Sequence, residues 1–358
     1  MAPPAPASTF GAYVHVPFCL RRCDYCAFAT WDDRSHLLDR YVAAVCREIE
    51  TAVAVGLPTA TTVFFGGGTP SLLEPGAMGS LLEAVPLAPG AEVTVECNPD
   101  TVDGRKLAGY RAAGVTRISL GVQSMVPHVL AALGRTHDPA NVRAAVDAVG
   151  AAGFATFNVD LIYGAVGESV ADWTRTLEEA LALDPPHVSA YGLTVEAGTP
   201  LAADTARHPD DDDQADKYAV ADDLLTAAGR TSYEISNWAV PGHECRHNLH
   251  YWSQGDYRGF GCAAHSHDAG RRWWNVRTPE RYIDLVEAGR PAEAAAETLD
   301  ADERRIEALQ LALRTRDGVP AGVLPVEELD GLLERSGGRV VLTRAGRLLA
   351  NEVAVRLR

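Results

Sequence analysis

Short runs of β-branched and aromatic residues recur through the first 200 positions of the chain. Each run is too short for a helix and is bounded by glycine, proline or polar residues, which predicts a buried β-strand. Between these runs, apolar residues recur at positions i, i+3 and i+4, the spacing of an amphipathic helix. The predicted strands are 13–16, 63–65, 93–96, 118–120, 156–162 and 188–193, and the predicted helices are 37–55, 101–113, 141–152 and 169–183.

The alternation of six predicted strands with helices is typical of a parallel β-sheet in an α/β protein. Such a sheet is either open and doubly wound or curled into a barrel, and six repeats are fewer than the eight of a closed TIM barrel. In both topologies the carboxyl ends of the strands meet at one edge, where ligands and catalytic groups concentrate. We therefore expect the functional residues at that edge.

The pattern changes in the second half of the chain. Positions 202–213 include four consecutive aspartates from Asp210, which predicts a solvated surface loop rather than a metal site. A helix is predicted over 216–228 and a strand over 232–235. The stretch 237–275 is rich in glycine, histidine and aromatic residues and is predicted to be a loop.

From residue 279 onward the pattern is mainly helical. Helices are predicted over 301–313, 325–336 and 343–356, with a short strand over 339–342. This order resembles a small winged-helix module. Winged helices often bind DNA, but a net charge of −16 disfavours contact with phosphate, so we expect this part to pack against or cover the rest of the protein.

The composition is that of a folded globular protein, with 47% hydrophobic and 22% charged residues. No apolar run approaches the roughly 20 residues that span a bilayer, and the opening MAPPAPASTF lacks the basic and apolar parts of a signal peptide. Because the net charge repels phosphate backbones and anionic membrane surfaces, we expect a cytoplasmic protein without a nucleic-acid partner.

Three of the seven cysteines, Cys19, Cys23 and Cys26, fall within eight residues directly after the first predicted strand. In a reducing compartment such a group of thiols indicates a metal or redox site. Three thiolates can bind three irons of a [4Fe–4S] cluster and leave the fourth iron open to another ligand. A structural zinc ion is the alternative, and it would need a fourth ligand such as His15 or a distant cysteine.

Polar and small residues stand at the ends of the neighbouring predicted strands. A glycine-rich turn over 66–71 follows the second strand, and its backbone can approach a ligand closely. The polar residues after the third, fourth and fifth strands are Glu96, Gln123, Arg135 and Asp160. Each alone is compatible with a structural role, but together they suit a zwitterionic ligand that carries a ribose.

The Cys-x3-Cys-x2-Cys spacing and the glycine-rich turn, in this order, resemble the radical-SAM superfamily. The resemblance narrows to the group that contains oxygen-independent coproporphyrinogen III dehydrogenases and HemW-type haem chaperones. Five motifs in the expected order carry it, at 13–19, 66–71, 121–124, 158–164 and 233–237.

The resemblance implies a partial (β/α)6 barrel with a small, mainly helical, winged-helix-like C-terminal domain. It places the cluster and the site for S-adenosylmethionine (SAM) in a core domain over 1–240, and a haem-binding segment, 247–252, in a C-terminal domain over 241–358. It also assigns site residues one by one. The implied cluster ligands are Cys19, Cys23 and Cys26, and the implied SAM contacts are Tyr13, Tyr25, Gly67, Gly68, Thr69, Glu96, Gln123, Arg135 and Asp160.

Two departures separate the chain from the dehydrogenases. Phe28 stands where their fourth cysteine would be, and only twelve residues precede Tyr13, so their N-terminal extension is not matched. The segment His-Asn-Leu-His-Tyr-Trp at 247–252 instead matches the pattern of the chaperones. Imidazole is a common axial ligand of haem iron, so His247 is the expected haem ligand. Cys245, His250 and His265 stay open as alternatives.

The resemblance therefore implies a haem chaperone that binds haem as cargo, carries a SAM-ligated [4Fe–4S] cluster and delivers haem to respiratory membrane enzymes. Whether SAM is cleaved, and whether the chain forms a homodimer, stay open. The alternative is a coproporphyrinogen III dehydrogenase, against which Phe28 argues. A DNA-binding regulator that uses the winged-helix-like part is a third hypothesis, disfavoured by the acidic charge.

Overall fold

The computed structural model describes residues 9–135, 137–324 and 329–357, and within them six consecutive parallel strands form the centre of the fold. The strands are β1 (Gly11–Val16), β2 (Ala60–Gly67), β3 (Leu87–Cys97), β4 (Arg117–Gln123), β5 (Thr156–Tyr163) and β6 (His187–Gly192). Each pairs in parallel with the next in chain order. The predicted parallel α/β sheet is therefore confirmed.

Helices cover one face of this sheet. They are α1 (Leu38–Ala54), α2 (Pro75–Ala84), α3 (Gly104–Ala113), α4 (Pro127–Ala132), α5 (Pro139–Ala151) and α6 (Val170–Leu181). The four predicted helices correspond to α1, α3, α5 and α6. The sequence pattern missed α2 because Gly76 and Gly79 weaken its helical propensity, and it missed α4 because that helix has only six residues.

The two faces of the strands differ in chemistry, as their alternating side chains require. Val14, Phe65 and Ile118 belong to one apolar core together with helix residues such as Tyr41 and Leu107. The opposite face is polar along almost every strand. We call this face, which carries His15, Thr62, Glu92, Glu96, Arg117, Ser119, Asn158, Asp160, His187 and Ser189, the inner face.

The sheet extends beyond the six parallel strands on both sides. The further helices are α7 (Pro200–Ala203), α8 (Asp211–Ala227), α9 (Arg246–Trp252) and α10 (Pro279–Glu287), and the further strands are β7 (Thr231–Glu234), β8 (Asn237–Ala239), β9 (Tyr257–Phe260), β10 (His265–Asp268), β11 (Arg271–Asn275) and β12 (Glu293–Thr298). Strand β9 pairs in parallel with β1, and β8 pairs antiparallel with β6. The order within the described residues is β12-β11-β10-β9-β1-β2-β3-β4-β5-β6-β8-β7.

The prediction of a loop over 237–275 is wrong, because this stretch contains α9 and four strands of the sheet. These strands have three to five residues, too few for an alternating pattern to stand out. The helical prediction after residue 279 also misses β12, whose six residues are all exposed. The sheet thus continues across position 240, and β9 to β12 join it on the side of β1.

The last part of the described chain forms a small unit with an apolar core of its own, which includes Leu313, Val319, Val340 and Val353. Its elements are α11 (Ala301–Ala312), β13 (Val319–Pro320), β14 (Leu333–Ser336), β15 (Arg339–Leu342), α12 (Arg344–Leu348) and α13 (Ala350–Ala354). Within the described residues the strand order is β13-β15-β14. Of these described elements, three are helices and three are strands, and the helices contain more of the residues.

Within that unit, residues 325–328 of the predicted helix 325–336 lie outside the described residues, and its end is strand β14. Gly337 and Gly338, both with positive φ, form the two-residue turn that pairs β14 with β15 in a hairpin. The helix predicted over 343–356 is divided into α12 and α13 at Leu349.

The acidic segment 202–213 is only partly a loop. Its aspartates begin helix α8, where the Asp210 side chain accepts a hydrogen bond from the Asp213 amide at 2.9 Å. Carboxylates at a helix start satisfy free amide groups and interact favourably with the helix dipole. Among the described residues, no helix has the length and apolar character needed to cross a membrane.

Candidate functional site

The loop that carries the three cysteines leaves the carboxyl end of β1 and returns to it. The Cys19 amide donates to the Trp31 carbonyl at 2.9 Å, and the Trp31 amide donates to the Pro17 carbonyl at 2.8 Å. These bonds close the base of the loop. Cys19, Cys23 and Cys26 are all free thiols and partly exposed. We call residues 19–30 the cysteine loop.

A cavity of about 490 Å³ opens beside the cysteine loop, at the carboxyl ends of the parallel strands. All three cysteines line it, so they lie at the edge of the sheet where the sequence pattern predicts them. Eight of the nine residues predicted to contact SAM also line it, namely Tyr25, Gly67, Gly68, Thr69, Glu96, Gln123, Arg135 and Asp160. Tyr13 does not: its hydroxyl lies 3.1 Å from Nδ1 of His15, and its ring stacks on Phe64.

The two glycines at the end of β2 allow the cysteine loop to approach the sheet. A Cβ atom on Gly67, which has a φ of 111°, would lie 2.4 Å from Cε1 of His15. A Cβ atom on Gly68 would lie 2.6 Å from the Phe18 carbonyl oxygen and 3.1 Å from Sγ of Cys19. The glycine-rich turn is therefore required by contact with the loop, and not only by backbone conformation.

His15 holds the cysteine loop from below. Burial lowers the pKa of its imidazole to about 4, so the ring is neutral. Nε2 donates to the Ala29 carbonyl at 2.9 Å, which leaves Nδ1 to accept from the Tyr13 hydroxyl. Because both ring nitrogens have partners, His15 is not available as the fourth ligand that the zinc alternative named. Its role in tying Ala29 to β1 was not predicted from sequence.

Two half-buried carboxyl groups, those of Glu96 and Asp160, face the cavity from the inner face. Burial, and then the nearby Asp160, raise the pKa of Glu96 to about 8. Burial also raises the pKa of Asp160, although Ser119 and Asn158 donate hydrogen bonds to it at 2.8 and 2.7 Å. Two partly desolvated carboxyl groups suit a ligand that brings a positive charge and hydroxyl groups into the cavity.

The guanidinium of Arg135 closes the other side of the cavity. Nη1 lies 3.5 Å from Sγ of Cys23, and Nη2 donates to the Gly121 carbonyl at 3.0 Å. Gln123 has a φ of 65°, at an irregularity in the pairing of β4 with β5. This left-handed conformation is rare for a residue with a side chain and is typical of functional sites. The sequence contained no sign of it.

The residues present fit the cofactors that the cysteine spacing implies. Among the described residues, no three histidine, cysteine or acidic side chains converge on a point where one metal ion could bind them all. A cubane cluster does not require such convergence, because each thiolate binds a different iron. Glycines and half-buried carboxyl groups line the cavity beside the thiols, as a SAM-sized zwitterion needs.

His247, the expected haem ligand, is separated from this cavity. It lies on α9 and is only 1% exposed. Its Nδ1 is 2.9 Å from Oγ1 of Thr62, and its ring stacks on Phe64 with ring centroids 5.3 Å apart. Its Nε2 is buried without a hydrogen-bond partner among the described residues. The imidazole is neutral, because burial lowers its pKa to about 3.

Of the alternative haem ligands, Cys245 and His250 are buried like His247, and only His265 is exposed. Cys245 is buried and its Sγ lies 3.6 Å from Oε1 of Glu92. His250 is buried, with Nε2 at 2.8 Å from the Asp256 carbonyl. His265 is exposed on β10 and stacks on Trp274. None of these three residues lines the cavity beside the cysteine loop.

Comparison with known proteins identifies the family. Residues 13–180 match the family model of the Radical SAM superfamily. The chain is 44% identical to the haem chaperone HemW of Mycobacterium tuberculosis, over 98% of this chain and 95% of that protein. It is 38% identical to the haem chaperone HemW of Escherichia coli, over 84% of this chain and 83% of that protein.

A solved structure shows the same fold. The coproporphyrinogen III oxidase HemN from Escherichia coli, described as a radical SAM enzyme, superposes with a TM-score of 0.84 over 97% of this chain and 89% of that one, at 22% identity. The α/β fold expected from the sequence is thereby confirmed. By its sequence similarity over nearly its full length, the chain belongs to the HemW family within the radical SAM superfamily.

Proposed function

We propose that this chain is a haem chaperone: it binds haem as cargo and delivers it to haem-accepting respiratory enzymes in the membrane. The observation that carries the proposal is the 44% identity, over 98% of the chain, to a protein named as a haem chaperone. The exposed Phe28 at the cavity, in the position of the dehydrogenases' fourth cysteine, supports delivery of haem rather than porphyrinogen oxidation.

We further propose that Cys19, Cys23 and Cys26 bind a [4Fe–4S] cluster and that the cavity binds SAM. When bound, a cluster of this kind supplies an electron that can cleave the SAM sulfonium. The chain's part is to bind and orient. Gly67 and Gly68 line the cavity and let the cysteine loop pack against β2, and the Glu96 carboxyl can give up its proton to pair with a ligand ammonium. The Cys19 thiol must likewise lose its proton when iron binds, since burial raises its pKa to about 11.

His247 is the proposed haem ligand. Its neutral imidazole and unpartnered Nε2 suit an axial ligand of haem iron. Because the side chain is 1% exposed, α9 must move away from Thr62 and Phe64 before haem iron can reach it. The haem-bound state therefore differs from the conformation described here.

The test is a haem-transfer assay under anaerobic conditions, with iron content verified. The protein is loaded with haem, bound haem is quantified as the pyridine haemochrome, and transfer to vesicles that contain a haem-free respiratory enzyme is followed by recovery of that enzyme's activity. We expect stoichiometric haem binding and transfer by the wild type and loss of both in His247→Ala. Loss in Cys245→Ser, His250→Ala or His265→Ala instead would show that the assigned ligand is wrong.

A second experiment tests the alternative function, that of a coproporphyrinogen III dehydrogenase. The same cluster-loaded protein is incubated with SAM, a reductant and coproporphyrinogen III, and protoporphyrin is measured by fluorescence after oxidation. We expect no product above a cluster-free control. Turnover would overturn the chaperone proposal in favour of the dehydrogenase.

A further inference from the structure

A chain of buried hydrogen bonds connects the cavity to the start of helix α9. Asn158 donates to Oδ1 of Asp160 at 2.7 Å, and its Oδ1 lies 2.5 Å from Nδ1 of His187. Nε2 of His187 lies 2.8 Å from the Tyr233 hydroxyl, which accepts from the Cys245 amide at 3.3 Å. Asp160 lines the cavity, and Cys245 directly precedes α9, so the chain joins the two sites. We call these five residues the relay.

The donor and the acceptor of each hydrogen bond in the relay can be assigned by starting from Asn158 and Asp160. The amide nitrogen of Asn158 must face Asp160, because the reverse orientation would set two oxygens against each other. Oδ1 of Asn158 then faces His187, so Nδ1 of His187 carries the proton. Burial, followed by the charge of Arg117, lowers the pKa of His187 well below its usual value, so the ring is neutral and Nε2 accepts from Tyr233.

Every link therefore donates in one direction, from the Cys245 amide to the Asp160 carboxyl. Bonds arranged this way polarise one another, and each buried member has lost the water that could replace a missing partner. Tyr233, Asn158 and His187 are all buried. A change in hydrogen bonding at Asp160 therefore alters the hydrogen bond at the Cys245 amide, and the reverse also holds.

Helix α9 is held at its start by the same region of the inner face. Oε1 of Glu92 accepts from the His247 amide at 3.1 Å, and Oε2 accepts from the Arg246 amide at 3.2 Å. Haem ligation by His247 requires α9 to leave this position, since the imidazole is enclosed by Thr62, Phe64 and Tyr251. Departure of α9 removes the Cys245 amide from Tyr233 and breaks the relay.

We propose that SAM binding in the cavity and haem ligation at His247 oppose each other, and that the relay couples them. A ligand bound to Asp160 favours the intact relay and the closed position of α9. Haem favours the open position and leaves Asp160 with a weakened hydrogen-bond network. The inference rests on the proposed function, because it takes haem as the ligand of His247.

The test measures haem binding by equilibrium dialysis of anaerobic protein with an oxidised, intact cluster, with and without saturating SAM. Loss of one hydrogen bond from the relay corresponds to about a fivefold change in affinity. We expect SAM to raise the haem Kd by about that factor, and haem to raise the SAM Kd by the same factor, because binding linkage is reciprocal. Hydrogen exchange at 245–252 should slow when SAM binds.

The informative variant is Tyr233→Phe, which removes the hydroxyl in the middle of the relay and keeps the ring. In this variant we expect the haem Kd with SAM to be nearly equal to the haem Kd without SAM. Tyr110→Phe is the matched control, since it deletes an equally buried hydroxyl, which donates to the Leu73 carbonyl outside the relay. The control should keep the wild-type effect. Circular dichroism checks that both variants fold.

The outcomes separate the two proposals. If the wild type binds no haem in either condition, the proposed function fails and the coupling fails with it. Haem binding that is unchanged or strengthened by SAM overturns the coupling alone. The same holds if Tyr233→Phe keeps the full effect, or if SAM leaves exchange at 245–252 unchanged in the wild type.

Discussion

Gly68 sets how closely the cysteine loop can approach the second strand. A Cβ atom there would lie within 3.1 Å of three atoms of the loop and of β1, two of them backbone oxygens. Backbone oxygens held by strand pairing cannot yield as a flexible side chain can. At this residue, the chemistry of the site depends on the absence of a side chain.

We therefore expect Gly68→Ala to displace the cysteine loop, at a cost of about 1–3 kcal/mol, typical of overpacking. Reconstituted protein should bind less iron per chain than the wild type, measured by colorimetric iron analysis and by the cluster's absorbance. Gly76→Ala is the control, because nothing lies within 4 Å of its Cβ position and alanine favours helix α2. Equal iron content in both variants would contradict the argument.

The raised pKa of Glu96 predicts how the stability of the cofactor-free protein depends on pH. The folded protein binds its proton with a pKa of about 8, against an ordinary value of 4.5. A raised carboxyl pKa means that the fold binds more protons than the unfolded chain between these values, so stability falls as pH rises from about 4.5 to about 8. Glu96→Gln should remove this loss.

The measurement is the melting temperature at pH 5 and at pH 8.5, by circular dichroism. Relative to the wild type, Glu96→Gln should melt higher at pH 8.5 than at pH 5. Asp100→Asn changes an exposed carboxyl that also lines the cavity, and it should keep the wild-type pH dependence. A Glu96→Gln variant with the wild-type slope would show that Glu96 is not the group responsible.

At the scale of elements, the start of helix α8 shows why a run of acidic residues is predicted as a loop. Four aspartates in succession resemble a solvated loop, and Asp210 in fact caps a helix of 17 residues. The buried face of this helix begins only at Lys217 and Tyr218, one turn after the acidic run ends. A helix start is therefore hidden when its first turn has no apolar residue.

Asp210→Ala should lower the free energy of unfolding by about 1 kcal/mol, the usual cost of losing an N-cap. Chemical denaturation followed by circular dichroism measures it. Asp212→Ala removes a carboxylate in the same first turn that makes no capping bond, and it should cost only about 0.3 kcal/mol through the helix dipole. Equal losses would mean that charge, rather than the capping bond, stabilises the helix start.

At the scale of the whole molecule, Asp222 on α8 ties the small C-terminal unit to the rest of the protein. It accepts from Trp238 at 2.9 Å and from Arg344 and Arg347 at 2.8 Å each. Burial alone would raise its pKa, but these three donors outweigh burial and hold the pKa below its usual value. Both arginines belong to α12, so the contact crosses from the unit to α8.

Asp222→Asn should loosen the C-terminal unit and speed its removal by limited proteolysis severalfold. The lowered pKa of Asp222 means that its ionised form stabilises the fold above 3.8, the ordinary pKa of an aspartate. The wild type should therefore lose its protection from proteolysis when the pH falls below that value. Asp223→Asn changes an exposed carboxyl that pairs with Arg344, and this control should be cleaved at nearly the wild-type rate. Equal rates for both variants would contradict this role of Asp222.

Several features could be predicted from the sequence because their signals are local. β-branched runs such as the one in β5 and the apolar spacing of α1 need no knowledge of distant residues. The spacing of the three cysteines also predicts their chemistry, and the structure brings them to the same edge of the sheet as Glu96 and Asp160, as the strand order predicts. Parallel strands bring such residues to one edge, whatever the detailed geometry.

Other features depended on contacts between distant parts of the chain, and only the tertiary structure decided them. Strand β9 forms because β1 offers it an edge, His15 is occupied because Ala29 and Tyr13 lie on either side of it, and His247 is buried because α9 packs on the inner face. A local sequence determines which elements form and which chemistry they carry. Burial, hydrogen-bond partners and pKa belong to the three-dimensional surroundings, which residues far apart in the chain create together.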